Sequence, residues 1–242
     1  KQVWTAERAA GVTTCAFSPD GSQVLCGGRD NGLSLLDAVT GKEVWTVERA
    51  GALYVMTCSF SPDGSQVLCG GENRRLSLLD AATGDEVWTV QRADTVYTCS
   101  FAPDGGQVLC GGDDKKLSLL NAVMGDEVWT VERAYRVRTC SFSPDGSQVL
   151  CGGDDKKLSL LNAVTGKQMW TAERASNVLT CAFAPDGGQV LCGGEDKKLS
   201  LLDAATGKQV WTAERADTVV TCAFSPDGGQ VLCGGEDKKL SL

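Results

Sequence analysis

Thr57-Cys58-Ser59-Phe60-Ser61-Pro62-Asp63-Gly64-Ser65-Gln66-Val67-Leu68-Cys69-Gly70-Gly71 reads as two short strands on either side of a tight turn. Proline presets the first bend, glycine takes the positive φ, and both flanks are rich in β-branched, aromatic and aliphatic residues. The stretch predicts a β-hairpin. Downstream, Gly70-Gly71-Glu72-Asn73 breaks the chain before Leu76-Ser77-Leu78-Leu79, and Asp80-Ala81-Ala82-Thr83-Gly84 turns it back toward the next strand. Upstream, Lys42-Glu43-Val44-Trp45-Thr46-Val47 has the composition of a further strand. Four short strands per unit result.

The unit recurs along the chain. Pro-Asp-Gly begins at Pro19, Pro62, Pro103, Pro144, Pro185 and Pro226, and Cys-Gly-Gly at Cys26, Cys69, Cys110, Cys151, Cys192 and Cys233. Tryptophans at 4, 45, 88, 129, 170 and 211 use up all six in the chain. The step is 41 residues, except that the second unit has two more within residues 51–56, where an insertion marks an exposed loop. Units of this length with four antiparallel strands stack radially as blades, because one blade cannot bury both faces alone. The expectation is an all-β chain: a single domain, residues 1–242, forming a six-bladed β-propeller of four-stranded antiparallel blades. Its repeats are 1–41, 42–84, 85–125, 126–166, 167–207 and 208–242.

Val12, Cys15, Phe17-Ser18-Pro19-Asp20-Gly21, Asp30, Leu33-x-Leu35-Leu36-Asp37 and Thr40-Gly41 fall at the spacing of WD40 repeats, and the chain resembles that family over its whole length. The departures are systematic. The family's Trp-Asp pair is here Leu36-Asp37, Leu79-Asp80, Leu120-Asn121, Leu161-Asn162 and Leu202-Asp203, and its Gly-His is Arg49-Ala50. Of the family's His-Ser-Asp-Trp network the Asp persists, as Asp30, Asp114, Asp155, Asp196 and Asp237, with Asn73 in the second unit. Blade rigidity is therefore expected to come mainly from apolar packing. The resemblance implies closure of the propeller by the N-terminal Trp strand, which completes the blade whose inner strands lie at the C-terminal end. A stretch of a longer array is the alternative.

Composition excludes several function classes. Of 242 residues 42% are hydrophobic, which allows a sizeable core, while 31 Asp and Glu outnumber 23 Lys and Arg for a net charge of -8. A basic groove has little to draw on, so no nucleic-acid partner is expected. The absence of histidine removes every triad or zinc site that needs an imidazole. No run of about 18 apolar residues occurs, and no membrane partner is expected. The doublets Asp113-Asp114, Asp154-Asp155, Glu195-Asp196 and Glu236-Asp237 each precede two lysines and read as turn residues bonding their own backbone. No catalytic residue, metal ligand or cofactor is expected, and the chain reads as a non-enzyme.

All 12 cysteines lie on the two strands of the hairpins, as do Cys15 and Cys26. If Ser18 faces Ser22 across a three-residue turn, Cys15 opposes Leu25 and Cys26 opposes Thr14, with the sulfurs on opposite faces. A register shifted by one residue opposes the two cysteines instead. Small buried thiols in a reducing, cytoplasmic compartment follow from the first arrangement. The tryptophans either form an exposed rim or pack inward, filling the space of the family's missing tryptophan or lying along the stem of Arg49. Inward packing is expected, since an exposed indole in every blade invites aggregation.

Differences between near-identical units mark what the scaffold tolerates or uses. They concentrate after the Arg-Ala pair and after the double glycine, two turns that propeller connectivity places on one face. The neighbouring second, third and fourth units bring Leu53, Tyr54, Met56, Arg74, Arg75, Tyr97, Tyr135, Arg136 and Arg138 there, including all three tyrosines. Tyr and Arg are the residues that anchor interfaces. The expected function is a binding scaffold that recognises a protein or peptide through this face, as a monomer. The competing reading is a structural repeat protein, designed or recently amplified, that assembles through its rim or has no cognate ligand.

Overall fold

The computed structural model describes residues 3–48 and 54–242, and among them strands and turns account for all regular structure, with no helix. The first blade consists of β1 (Val12–Phe17), β2 (Gln23–Gly28), β3 (Gly32–Asp37) and β4 (Glu43–Glu48). The second has β5 (Val55–Phe60), β6 (Gln66–Gly71), β7 (Arg75–Asp80) and β8 (Glu86–Gln91). The third has β9 (Val96–Phe101), β10 (Gln107–Gly112), β11 (Lys116–Asn121) and β12 (Glu127–Glu132). β13 (Val137–Phe142), β14 (Gln148–Gly153), β15 (Lys157–Asn162) and β16 (Gln168–Glu173) form the fourth. β17 (Val178–Phe183), β18 (Gln189–Gly194), β19 (Lys198–Asp203) and β20 (Gln209–Glu214) form the fifth. The sixth comprises β21 (Val219–Phe224), β22 (Val231–Gly235) and β23 (Leu240–Ser241).

Strands pair in chain order within each sheet, five times as four strands and once as three. The all-β, six-bladed β-propeller class expected from the repeats is the one observed. Two compact units are distinguished: residues 1–114 with 119–128, and residues 115–118 with 129–242.

The hairpins form where expected, with a different register. Ser18 N donates to Gln23 O at 3.0 Å, so the turn holds four residues, and Cys15 stands directly opposite Cys26. The same pairing places Cys58 opposite Cys69 and Cys181 opposite Cys192. The expected opposition of Cys15 to Leu25 is thus corrected, and the physical reason is Asp20. Its carboxylate accepts from Ser18 Oγ at 2.6 Å and from Ser22 N at 3.0 Å, which draws Ser22 into the turn. All twelve thiols are free, and burial pushes several of the buried ones up, Cys99 and Cys222 to about 12 and Cys110 to about 11.

The equivalent Asp63 is held at about 2, below its ordinary value near 3.8, first by the hydroxyl of Ser61 and then by the N–H and hydroxyl of Ser65. A depressed carboxylate contributes stability above the unfolded value and loses it as pH falls through the folded one. Ser61→Ala is expected to move the Asp63 titration up toward 3.8 in a carboxyl NMR titration, while Asp145, in another blade, stays at about 2. An unmoved Asp63 contradicts the assignment of the hydroxyl as the main cause.

Adjacent blades within a unit pack through leucines. Leu25, Leu33 and Leu35 of the first blade close over Val55, Cys58, Val67 and Cys69 of the second, and Leu150, Leu158 and Leu160 over Val178, Cys181, Val190 and Cys192. Each fully buried aliphatic side chain of this kind contributes about 1.5–3 kcal/mol. Threonines lace the inner strands across blades, since Thr14 Oγ1 accepts from Cys58 N and Thr57 Oγ1 from Cys99 N, both at 3.2 Å.

Polar contacts add to this apolar packing. Among the described residues, arginines that follow a Trp segment reach an aspartate of a neighbouring blade: Arg8 to Asp30, Arg92 to Asp114, Arg174 to Asp196 and Arg215 to Asp237, at 2.7–3.0 Å. A serine on the next blade's third strand takes a second bond, Arg8 to Ser34 at 2.7 Å and Arg174 to Ser200 at 2.9 Å. Arginine thus takes over a networking role that the sequence assigned to no residue. Arg49 itself lies outside the described residues.

The tryptophans face inward, as expected, against a partner not anticipated. Five of the six indoles donate to a carbonyl in a blade's last turn, among them Trp45 to Ala81, Trp88 to Ala122 and Trp170 to Ala204, at 2.7–2.9 Å. The ring lies against a glycine with positive φ; at Gly207 (φ 69°) an added Cβ would meet Trp170 Cδ2 at 2.8 Å. Trp170→Phe keeps an aromatic ring, smaller than the indole, and removes the N–H that the Ala204 carbonyl accepts, so a loss of about 1–3 kcal/mol is expected in thermal unfolding.

The expected closing strand is not part of the sixth sheet, where β23 completes three strands. Residues 3–11 join no sheet. Side-chain anchors explain their placement: Trp4 Nε1 donates to Ala38 O at 2.8 Å, and Arg8 grips Asp30 with two nitrogens at 2.7 and 2.8 Å. These are first-blade contacts.

Candidate interaction face

The residue that varies after each inner-strand valine sits at a β-bulge. Val55 pairs with Gly71 and Thr57 with Gly70, leaving Met56 as the extra residue; Tyr97 and Arg138 hold the same place in the third and fourth blades. A bulge re-aims its side chain without disturbing the flanking ladder. In the third and fourth blades this side chain meets the residue that follows the double glycine, sixteen positions on.

In the first unit, Tyr97 Oη donates to Asp113 Oδ2 at 2.9 Å. The half-buried Tyr54 ring carries the Arg29 guanidinium at 5.5 Å from its centroid, a cation–π contact. Arg74 occupies a left-handed turn position (φ 58°) whose carbonyl accepts from Arg92 N at 2.7 Å, and its exposed side chain lies 3.8 Å from Asp94. Arg75, also exposed, borders a cavity of about 390 Å³ together with Glu48, Asn73 and Glu86. Leu53 lies outside the described residues.

In the second unit, one carboxylate holds two predicted arginines. Asp154 Oδ1 accepts from Arg138 Nε at 2.9 Å, and Asp154 Oδ2 lies 3.0 Å from Arg136 Nε. Beside them Tyr135 is 58% exposed, with Lys115 Nζ 5.9 Å from its ring centroid. Pairing fixes the two guanidinium planes, and the Tyr135 ring stays open to solvent.

Arg29, Asp113, Lys115 and Asp154 belong to these clusters and were not among the candidates. For Asp113 and Asp154 the signal is the sixteen-residue spacing, which pairs Tyr97 with Asp113 and Arg138 with Asp154. The second acid of each doublet is spoken for by the framework: Asp196 takes Arg174 and the N–H of Lys198, the latter at 3.1 Å. The doublets thus divide their labour, the first acid to the variable face and the second to the blade junction.

The model of a family described as outer membrane protein assembly factor BamB matches residues 1–130 and again 113–241. The chain belongs to this family. No curated protein matches it. BamB-type repeats are a different repeat family from the WD40 repeats, so the WD40 resemblance carries as far as the propeller architecture and membership lies with the BamB family.

Proposed function

We propose that this chain is a non-catalytic binding scaffold that takes a protein or peptide on its variable turns, with Tyr135, Arg136 and Arg138 as anchors. The observation that carries this reading is the exposed Tyr135 ring beside two arginines already ordered by Asp154. Ordered anchors lose little side-chain entropy on binding, and large planar groups dominate interface energetics. Membership in a family described as an assembly factor supports a role in protein contacts. The WD40-like spacing supports the same use of the turns. A reducing, cytoplasmic setting remains part of the proposal, supported by the twelve free thiols.

Peptides selected against the wild-type protein from a displayed library test it. Tyr135→Ala with Arg136→Ala is expected to weaken them about thirtyfold or more, the loss of about 2 kcal/mol typical of an anchor, with far-UV circular dichroism unchanged. Unchanged affinity removes these residues from the site.

A further inference from the structure

The turn between the second and third strands places a long cation in the left-handed region in the second to fifth blades, at Arg74, Lys115, Lys156 and Lys197. Two of these cations have an acid twenty residues on, at the entry to the next blade. Arg74 Nε lies 3.8 Å from Asp94 Oδ1, and Lys197 Nζ lies 3.2 Å from Asp217 Oδ1. The two repeats between them have no acid at that place: Tyr135 follows Lys115 and Ser176 follows Lys156 at the same spacing. Lys115 Nζ lies 5.9 Å from the Tyr135 ring centroid, and Ser176 gives its hydroxyl to Glu195 Oε2 at 3.3 Å. Among the described residues neither exposed lysine has a carboxylate partner.

The same turns gain cations. Arg133-Ala134-Tyr135-Arg136-Val137-Arg138 holds three arginines and no acid, against Arg92-Ala93-Asp94-Thr95-Val96-Tyr97 and Arg215-Ala216-Asp217-Thr218-Val219-Val220 elsewhere. No other repeat has a cation where Arg136 or Arg138 stands. Arg133 belongs to the framework through Asp155 at 2.7 Å, whereas Arg136 and Arg138 meet on Asp154 beside the exposed Tyr135 ring. In a chain of net charge -8, two acids fewer and two arginines more thus fall on neighbouring turns of the second unit. Such a local reversal of sign draws and orients an anionic partner.

We propose that these turns select an acidic peptide segment, with carboxylates of the peptide set against Lys115 and Lys156 and an apolar or aromatic side chain laid on Tyr135. This rests on the reading of the variable turns as a peptide site and adds the chemistry of the peptide. Charge complementarity names the occupant, because the two lysines lack the carboxylates that their counterparts Arg74 and Lys197 have. A peptide fits better than a nucleic acid or a lipid surface. Asp154 sits between the two arginines and Glu195 borders Ser176, so a continuous row of phosphates meets repulsion inside the patch as well as from the acidic chain around it. Carboxylates spaced along a peptide reach the lysines and avoid both acids.

Selection from a displayed random peptide library, followed by fluorescence anisotropy with the captured peptides, tests the proposal. Captured peptides are expected to be richer in Asp and Glu than the unselected library. Replacing those acids with Asn and Gln is expected to weaken binding about tenfold or more, as for close charge pairs across an interface. Added salt is expected to weaken the acidic form and barely move the amide form. Ser176→Asp restores the acid that other repeats carry as Asp94 and Asp217, and is expected to weaken acidic peptides about threefold, the size of an exposed pair. Lys156→Gln is expected to do the same, with the amide peptides unmoved by either variant. Captured peptides that show no enrichment in acids, yet still depend on Tyr135 and Arg136, overturn the acidic assignment and leave the binding reading standing. Peptides indifferent to Tyr135 and Arg136 remove that reading itself. Unchanged affinity of acidic peptides for both Ser176→Asp and Lys156→Gln overturns the role given to Lys156. Oligothymidylate or phosphatidylserine vesicles bound as tightly at the same salt overturn the choice of a peptide.

Discussion

Replacing Asp196 with alanine is expected to destabilise the fold by about 3–5 kcal/mol, the cost of leaving a buried charge without its partner. The Arg174 side chain is 9% exposed, its Nη2 lies 2.9 Å from Asp196 Oδ2, and its Nη1 donates to Ser200 Oγ at 2.9 Å. Serine alone does not compensate a guanidinium removed from water. Denaturant unfolding followed by tryptophan emission measures the loss. The double variant Arg174→Leu with Asp196→Leu is expected to lose much less, because the pair spends most of its attraction on its own desolvation. A single-variant loss below about 1 kcal/mol would place this pair with surface salt bridges in energetic terms. Added salt is expected to change little, since a buried pair is weakly screened.

Gly112→Ala is the second large effect, about 3 kcal/mol at the upper end of what overpacking costs. Its added Cβ would lie 1.9 Å from Thr95 O and 2.9 Å from Thr95 C. Both are backbone atoms, so no side chain rotates out of the way, and Thr95 O is already committed to Asp113 N at 2.9 Å. Relief requires β9 and β10 to part where the bulge presents Tyr97, so the Tyr97–Asp113 bond is expected to go as well. Gly106→Ala is the control. A Cβ there comes no nearer than 3.4 Å to the Asp104 carboxylate, and serine stands at the same place in other repeats as Ser22, Ser65 and Ser147. Thermal unfolding of the two variants should differ by several degrees or more; equal midpoints contradict the steric account.

The architecture was legible because its determinants are local. Pro-Asp-Gly, the double glycine and the Thr-Gly turn each fix chain direction within a few residues, and their even spacing states the number of blades. The hairpin register was misjudged through one hydrogen bond: nothing in Ser18-Pro19-Asp20-Gly21-Ser22 says whether the Asp20 carboxylate draws Ser22 into the turn, and that decides whether Cys15 meets Leu25 or Cys26. The arginine contacts were missed for the opposite reason. Arg174 and Asp196 are 22 residues apart and on different blades, and the acid sits in a doublet whose two members do different work. At the candidate face the sequence located the variable turns and their Tyr and Arg residues. It did not show that Asp154 had already bound two of them, because a pairing across a bulge follows no strand period.

The indole–carbonyl and arginine–carboxylate contacts are built alike in the blades that make them, so the outer strand of one repeat carries suitable partners for the turns of several others. Chemistry does not address one repeat to one neighbour. Tethering does: the following repeat is joined by a short segment and meets its partner at a far higher effective concentration than a distant one, for a smaller loop-closure entropy. Order along the chain is thereby kept by polymer statistics instead of by recognition. The same rule makes exchange of repeats between nascent chains the characteristic folding error of this sequence, favoured whenever two unfolded copies share a small volume.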